Sequence, residues 1–335
     1  MSAPGPLGAP FAPVYSLITA ARRLAYDRGW LPSAHAGVPT LSVGGLEVGG
    51  VGKTPVTEWL LRGLRARGRS PGLLSRGYGR GERGLVVRAQ GGGLADPYAV
   101  GDEPAMLAEA VDVPMAISGD RIAGARALGA SVDCLVLDDG FAHRRLRRDL
   151  DIVVLRPTPT PDRLHLLPWG PLREHVVALR RADVLWFHAR GGESFGEVEA
   201  FAQRYAPDAA VVTSRPVLRG FEALRGLPAI LVTGVARPDQ VRDALQQHGV
   251  NVIETLEYPD HHRFTAADEE RVRRARDARS HAAVIVTAKD AVKMRDWTVP
   301  RTVLRLTVEP LAGAERFWSR DVAGVFPQQP PSVPR

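Results

Sequence analysis

From Pro39 onward, short apolar runs alternate with segments in which apolar residues recur at helical spacing. Such runs, bounded by Gly, Pro and Asp, predict buried strands, and the intervening segments predict amphipathic helices. Strand–helix alternation of this kind favours a mainly parallel sheet with helices on both faces. The strands are predicted at 40–43, 72–74, 85–88, 115–118, 134–137, 152–155, 184–187 and 210–213, and the helices between them at 55–67, 103–111 and 121–128.

A second, smaller α/β unit is predicted to begin near Gly220. Strands are expected at 229–233, 250–256 and 283–287, with a helix at 240–248 and a helix-opening capping pair formed by Thr265 and Asp268. The pattern divides the chain into an N-terminal helical segment (1–38), a core domain (39–217), a C-terminal α/β domain (218–326) and a Pro-rich tail (327–335).

The N-terminal segment contains an amphipathic helix, predicted over 14–28. Its apolar positions recur three and four residues apart, and Arg22, Arg23 and Arg28 lie mostly off that stripe. A helix of this composition can pack on the protein's own core or lie in a membrane interface, and the pattern alone leaves both open.

Composition excludes several classes of protein. The 335 residues include one cysteine, Cys134, which rules out a disulfide framework and a Cys-based zinc site and favours a reducing cytoplasm. No signal peptide and no apolar run long enough to span a membrane are recognisable. The net charge of +7 favours anionic partners. Only Lys53, Lys289 and Lys293 are lysines among 44 basic residues. Codon bias explains much of this imbalance, and a need for a compact ammonium group at a position that keeps lysine is the alternative.

A glycine-rich loop follows the first strand and opens a helix, which is the context of a P-loop. Its backbone N–H groups would surround phosphate oxygens, Lys53 would reach the terminal phosphates, and Thr54 would place its hydroxyl on Mg²⁺. Glu47 stands where the strict pattern has glycine. The predicted nucleotide-binding residues are Gly49, Gly50, Val51, Gly52, Lys53, Thr54 and Pro55.

Other polar residues follow predicted strands. Asp138 and Asp139 end an apolar strand, a position from which a carboxylate holds Mg²⁺ in P-loop proteins. Three further polar clusters lie at 75–79, at 101–104 and at 260–262. Each fits an ordinary turn, N-cap or solvated loop, but a carboxylate polarised by histidine would also provide the proton acceptor that a kinase needs.

The ordered motifs resemble those of the tetraacyldisaccharide 4'-kinase family, which phosphorylates lipid A precursors. The resemblance runs from the N-terminal helix to Lys293 and rests on the segments 48–55, 75–79, 101–104, 138–144, 147–153, 166–174, 233–238, 260–265 and 289–293. It implies transfer of the ATP γ-phosphate to the 4'-hydroxyl of a lipid A disaccharide 1-phosphate. It also implies an enzyme peripherally attached to the cytoplasmic face of the inner membrane, with the N-terminal helix as the membrane contact.

The same resemblance implies roles for particular residues. Asp102 with His261 would accept the proton, Lys53 would grip the phosphates, and Arg173 would contact substrate or transition-state charge. Mg²⁺ would be held by Thr54, Glu103, Asp138 and Asp139. ATP and Mg²⁺ are the expected cofactors. The chain departs from the usual family residues at Gly45, Glu47, Val51, Ala142 and Ala288, and at Thr160-Pro161-Asp162-Arg163. The carboxylate of Glu47 is expected to turn away from the phosphates or to pair with an arginine.

Two other functions compete with the kinase interpretation. A GTPase or an ATP-dependent synthetase would share the P-loop, but no Asn-Lys-x-Asp guanine motif is present. A membrane-bound nucleotide switch without phosphotransfer would suit the positive charge. No aromatic stacking platform or nucleic-acid motif is recognisable, so a nucleic-acid partner is not expected. The oligomeric state is not predicted.

Overall fold

The computed structural model describes residues 6–81, 84–93, 95–156, 165–189, 195–280 and 282–326. The predicted Pro-rich tail and Thr160-Pro161-Asp162-Arg163 lie outside these residues. One continuous twelve-stranded sheet runs through the molecule in the order β10-β9-β11-β12-β8-β7-β6-β1-β5-β2-β4-β3. The strands are β1 Thr40–Gly44, β2 Pro71–Ser75, β3 Val86–Arg88, β4 Met115–Ile117, β5 Cys134–Asp138, β6 Leu150–Leu155, β7 Val184–His188, β8 Ala210–Arg219, β9 Pro228–Thr233, β10 Asn251–Glu257, β11 Ala283–Thr287 and β12 Thr302–Ala312.

Neighbouring strands are parallel except in the described pairs β3–β4 and β12–β8. The described α-helices are α1 Ala12–Asp27, α2 Lys53–Ala66, α3 Pro97–Val100, α4 Asp102–Ala110, α5 Arg121–Leu128, α6 Phe195–Tyr205, α7 Pro238–Gln247, α8 Ala266–Asp277, α9 Ala288–Ala291, α10 Ala314–Arg316 and α11 Ala323–Val325. A π-helical stretch, Phe317–Val322, joins α10 to α11.

Both faces of the sheet are covered, as the strand β6 illustrates. Ile152 and Val154 belong to one hydrophobic cluster, and Val153 and Leu155 to another. Since successive strand residues point to opposite faces, the two clusters lie on opposite sides of the sheet. The predicted α/β class, with a mainly parallel sheet between helices and an N-terminal helix, is confirmed.

The strand β12 and the helical segment after it were not predicted. β12 pairs with β11 on one side and with β8 on the other, so it joins the C-terminal strands to the P-loop half of the sheet. Phe317, Val322 and Phe326 then pack in the same cluster as Leu41 of β1. The terminal segment belongs to the predicted C-terminal domain but packs against the larger unit. The domain boundary at 217/218 therefore stays a prediction.

The N-terminal helix α1 turns its apolar stripe outward. Leu17 is 71% exposed, and Val14 and Ile18 are about as open. Polar contacts attach the other side of the helix to the body: the Tyr15 hydroxyl donates to the Arg173 carbonyl, and Arg144 pairs with Asp27. Among the described residues, no helix is both long and apolar enough to cross a membrane.

Candidate active site

The P-loop lies at the carboxyl end of β1 and leads directly into α2, which begins at Lys53. Gly52 has a φ of +87°, a left-handed conformation that favours glycine, and an added Cβ would collide with the His188 ring. His188 Nε2 lies 3.1 Å from the Gly52 carbonyl oxygen, so this nitrogen carries the proton and donates it. On its other side, Nδ1 lies 2.9 Å from the Ser214 hydroxyl. A buried histidine therefore supports the last turn of the loop.

The remaining loop residues border an opening. Around Gly49 and Gly50, no heavy atom lies within 4 Å of an ideal Cβ, apart from their chain neighbours. Thr54 and Pro55 are in the first turn of α2, and Val51 is buried beneath the loop. The seven predicted nucleotide-binding residues thus form one continuous loop and helix start, with Gly49 and Gly50 facing open space.

The Asp139 carboxylate pairs with two cationic side chains, those of Lys53 and Arg173. Arg173 donates two hydrogen bonds to its carboxylate, at 2.6 and 2.8 Å, and Lys53 Nζ lies 3.3 Å away. Burial tends to raise the pKa of Asp139, but the Arg173 hydrogen bonds and the Lys53 charge outweigh it and lower the pKa to about 2. Asp139 has a φ of +53°, which Asp tolerates better than most residues. The structure thus places this predicted metal ligand in an ion-paired cluster with Lys53 and Arg173.

Asp138, one residue earlier, has the opposite electrostatic character. Its carboxylate accepts a hydrogen bond from the Thr57 hydroxyl in α2 (3.2 Å). It accepts another from the hydroxyl of Ser75, which ends the adjacent parallel strand β2 (3.3 Å). Burial, reinforced by the nearby charges of Glu103 and Asp139, raises the pKa of Asp138 to about 7. Asp138 is therefore a buried carboxylate whose negative charge the neighbouring cations do not fully compensate.

The donor set fits Mg²⁺. Asp138 and Glu103 are hard oxygen donors that repel each other, and Thr54 contributes a hydroxyl from the first turn of α2. In the described part of the chain, no group of three or more His, Cys, Asp or Glu side chains could hold a metal alone. Mg²⁺ in nucleotide sites binds one or two carboxylates together with phosphates and water, so a smaller protein ligand set is expected.

Asp102 and His261 meet across 159 residues of sequence, as predicted. His261 Nδ1 lies 3.0 Å from Asp102 Oδ2, and Lys293 Nζ lies 3.3 Å from the same oxygen. Burial opposes ionisation, but the His261 hydrogen bond and the Lys293 charge hold the pKa of Asp102 below its ordinary value. An ionised carboxylate next to an imidazole N–H can accept a proton from a hydroxyl group.

The three polar clusters predicted from sequence converge here. A Cβ on Gly79 would lie 3.1 Å from His261 Nδ1, and one on Gly101 would lie 3.0 Å from the Tyr78 carbonyl oxygen. The Tyr78 ring centroid is 5.9 Å from that of His261. The segments 75–79, 101–104 and 260–262 therefore form a single wall beside Asp102.

Two departures from the usual family residues have local explanations. Glu47 is buried and its carboxylate lies 3.6 Å from Arg156 Nε, so the expected pairing with an arginine is confirmed. A Cβ on Gly45 would lie 3.4 Å from Val51 Cγ2 and 3.3 Å from the Val154 carbonyl oxygen. Because Val51 packs toward this position, a small residue at 45 and an apolar residue at 51 accommodate each other.

Several residues of the site were given no role by the sequence. Lys293 is buried against Asp102, and Arg121 is buried nearby, where burial and the charge of Arg76 lower its pKa to about 10. Thr57 and Ser75 bind Asp138. Lysine scarcity was the available signal for Lys293, and Ser75 opens the polar cluster at 75–79. Thr57 lies inside a helix and carries no local signal.

The parallel sheet, the glycine loop before α2 and the acidic strand end together define a P-loop nucleotide-binding protein. The family model of tetraacyldisaccharide-1-P 4'-kinase matches residues 5–320. Tetraacyldisaccharide 4'-kinase of Anaeromyxobacter sp. (strain K) is 38% identical, over 99% of this chain and 96% of its own length. That of Anaeromyxobacter dehalogenans (strain 2CP-1 / ATCC BAA-258) is 41% identical, over 93% and 90%.

A crystal structure of LpxK from Aquifex aeolicus in complex with ATP is also similar, with a TM-score of 0.76 and 29% identity over 95% of this chain and 98% of that one. The chain belongs to the tetraacyldisaccharide 4'-kinase family. The predictions of the family and of an ATP-dependent kinase acting on a hydroxyl are confirmed, and the competing GTPase, synthetase and switch interpretations lose their support.

Proposed function

We propose that this chain transfers the γ-phosphate of ATP to the 4'-hydroxyl of a lipid A disaccharide 1-phosphate, with Asp102 as the proton acceptor. The observation that carries the proposal is the Asp102–His261 contact at the start of α4. The neighbouring residue in that helix, Glu103, acts electrostatically on Asp138 at the P-loop. A base thus adjoins the phosphate site in a fold whose relatives are named for this reaction.

The proposed step is an in-line displacement. The acceptor oxygen forms a bond to the γ-phosphorus while the bond from that phosphorus to the β–γ bridging oxygen breaks, and ADP leaves. The hydroxyl proton passes to the Asp102 carboxylate. His261 and Lys293 both contact Oδ2, so Oδ1 is the oxygen that we assign to the acceptor.

Lys53 and Arg173 supply the positive charge that the transition state needs. Both are fixed before substrate binds, since each is held by Asp139 and Arg173 also donates to the Glu47 carbonyl. Preorganised cations of this kind stabilise charge spread over the phosphoryl oxygens. Bound Mg²⁺, with Thr54, Glu103 and Asp138 as its protein ligands, would neutralise further phosphate charge.

The base is tested by replacing Asp102 with Asn or Ala and measuring phosphotransfer to a lipid A disaccharide 1-phosphate. We expect kcat to fall by about 100-fold or more, the usual contribution of a general base. Glu109→Gln is the matched control, because it changes a carboxylate at the other end of α4. Wild-type activity in Asp102→Ala would show that Asp102 is not the base.

We also propose that α1 binds the cytoplasmic face of the inner membrane peripherally. Its stripe Val14, Leu17 and Ile18 is 59–71% exposed, and helices with apolar stripes and arginines bind anionic interfaces. Leu17→Glu should reduce sedimentation with anionic phospholipid vesicles. Leu306→Glu is the control, since Leu306 is 48% exposed in β12. Undiminished sedimentation of a protein lacking residues 1–30 would contradict this role.

A further inference from the structure

All three lysines of the chain lie in the site. Lys53 pairs with Asp139, Lys289 with Asp260 (2.7 Å) and Lys293 with Asp102. Every other basic residue of the Lys and Arg set is arginine. Lysine carries a compact ammonium group, whereas arginine carries a wide planar fork, so the two are not interchangeable in a buried ion pair. Lys53 belongs to the phosphate loop, and Lys289 pairs with Asp260 beside His261. The third lysine, Lys293, is the most deeply buried.

Lys293 occupies a site built around its ammonium group. Its side chain is 1% exposed, and Nζ lies 3.1 Å from Asp290 Oδ1, 3.3 Å from Asp102 Oδ2 and 5.3 Å from the centre of the Phe264 ring. A buried ammonium is costly unless it is paired on all sides, and this one faces two carboxylates and an aromatic face. Nζ makes no hydrogen bond of ordinary geometry, so the two ion pairs and the ring contact are the interactions that hold it.

Asp290 anchors the lysine on the C-terminal side. This residue is fully buried, and its Oδ2 accepts hydrogen bonds from Thr287 Oγ1 (2.8 Å), Gly234 N (3.0 Å) and Thr233 Oγ1 (3.1 Å). Its other oxygen contacts Lys293. These donors come from the ends of β9 and β11, so the anchor is part of the rigid sheet.

We infer that Lys293 is a positioning residue for phosphoryl transfer: it holds Asp102 Oδ2 against the C-terminal half of the sheet and leaves Oδ1 to the acceptor hydroxyl. The inference rests on the proposed role of Asp102 as the base. Lys293 and His261 contact the same Asp102 oxygen from two directions. The carboxylate therefore cannot rotate about its Cβ–Cγ bond without breaking both contacts. The orientation of the base then depends on the C-terminal α/β unit.

The test is a double-mutant cycle between Lys293→Met and Asp102→Asn, followed by kcat and KM for ATP in phosphotransfer to the disaccharide. We expect Lys293→Met to lower kcat about 10- to 100-fold, since a misplaced group costs about that much, and to leave KM for ATP within about twofold. In the Asp102→Asn background the same substitution should lower kcat no further, because both changes disable one carboxylate.

Lys293→Met leaves Asp290 buried without its cation, which can weaken folding. Lys293→Met with Asp290→Asn removes both charges and should restore the melting temperature while kcat stays low. If this variant instead regains wild-type kcat, Lys293 serves only to neutralise Asp290 and the inference is overturned. If Lys293→Met alone does not fold, the charge-balanced variant replaces it in the cycle.

Arg295→Met is the matched control. Arg295 Nη2 contacts Glu109 at 2.7 Å, so this pair also joins the C-terminal half to α4, but it lies away from Asp102. It should change stability and not kcat. A wild-type kcat in Lys293→Met, or losses that add to those of Asp102→Asn, would refute the positioning role. Full activity in Asp102→Asn would instead refute the proposed base, so the two failures are distinguishable.

Discussion

The adjacent carboxylates Asp138 and Asp139 should have opposite effects on stability when either is replaced by Asn in metal-free protein. The pKa of Asp138 is raised from 3.8 to about 7, so its stabilising contribution is present below pH 3.8 and is lost as the pH rises through 7. At about 1.4 kcal/mol per pH unit, this amounts to at most about 4 kcal/mol. Asp138→Asn should therefore stabilise the protein at neutral pH.

The contribution of Asp139 to stability has the opposite pH dependence. Its pKa is lowered from 3.8 to about 2, so its contribution is present above pH 3.8 and is lost only as the pH falls toward 2. Because its side chain is 38% exposed, solvent screening limits the effect to about 1 kcal/mol. Asp139→Asn should therefore destabilise the protein at neutral pH, through the loss of the Lys53 and Arg173 pairs.

Urea unfolding in EDTA at pH 4.5 and pH 7.5 measures both effects. The gain in Asp138→Asn should grow between the two pH values, because over most of that range the unfolded carboxyl is ionised while the native one keeps its proton. The loss in Asp139→Asn should stay nearly constant. An Asp138→Asn variant that is no more stable than wild type at pH 7.5, or whose gain does not change with pH, would refute the view of Asp138 as an undercompensated carboxylate.

Three further outcomes are expected. Gly52→Ala should raise KM for ATP about tenfold, because φ is +87° and the methyl group would meet His188; an unchanged KM would show that the loop tolerates it. Arg173→Lys should lower kcat/KM about tenfold or more, since lysine cannot replace the two bonds to Asp139 and the third to the Glu47 carbonyl; equal kinetics would contradict this. Phe317→Ala should cost about 3–5 kcal/mol in urea unfolding with no change in KM, because the ring is fully buried in the core; a loss below 1 kcal/mol would count against that packing.

Much of the sheet could be predicted because its signals are local. β1 and β5 are short apolar runs ended by a glycine and a carboxylate, and the structure places both strands within a residue of the prediction. β12 was missed because its burial is irregular along its length and its role, joining two halves of the sheet, depends on partners about 90 residues away. The return of Phe317 to the P-loop core is equally non-local.

The residues of the site also divide into those that local sequence predicts and those that depend on long-range contacts. The P-loop is contiguous, so spacing alone indicates its chemistry. The Asp102–His261 pair was reached only through family resemblance, since nothing local connects residues 159 positions apart. Lys293 and His188 act through contacts that only the folded chain brings together, although the scarcity of lysine pointed to the first.

The most direct test of the account is a phosphotransfer assay. Purified protein is incubated with ATP labelled at the γ-phosphate, Mg²⁺ and a tetraacylated lipid A disaccharide 1-phosphate, and the lipid products are separated. We expect a labelled disaccharide 1,4'-bisphosphate that forms about 100-fold or more slowly with Asp102→Ala and at the wild-type rate with Glu109→Gln. Release of labelled inorganic phosphate without labelled lipid, or equal label with Asp102→Ala, would contradict the account.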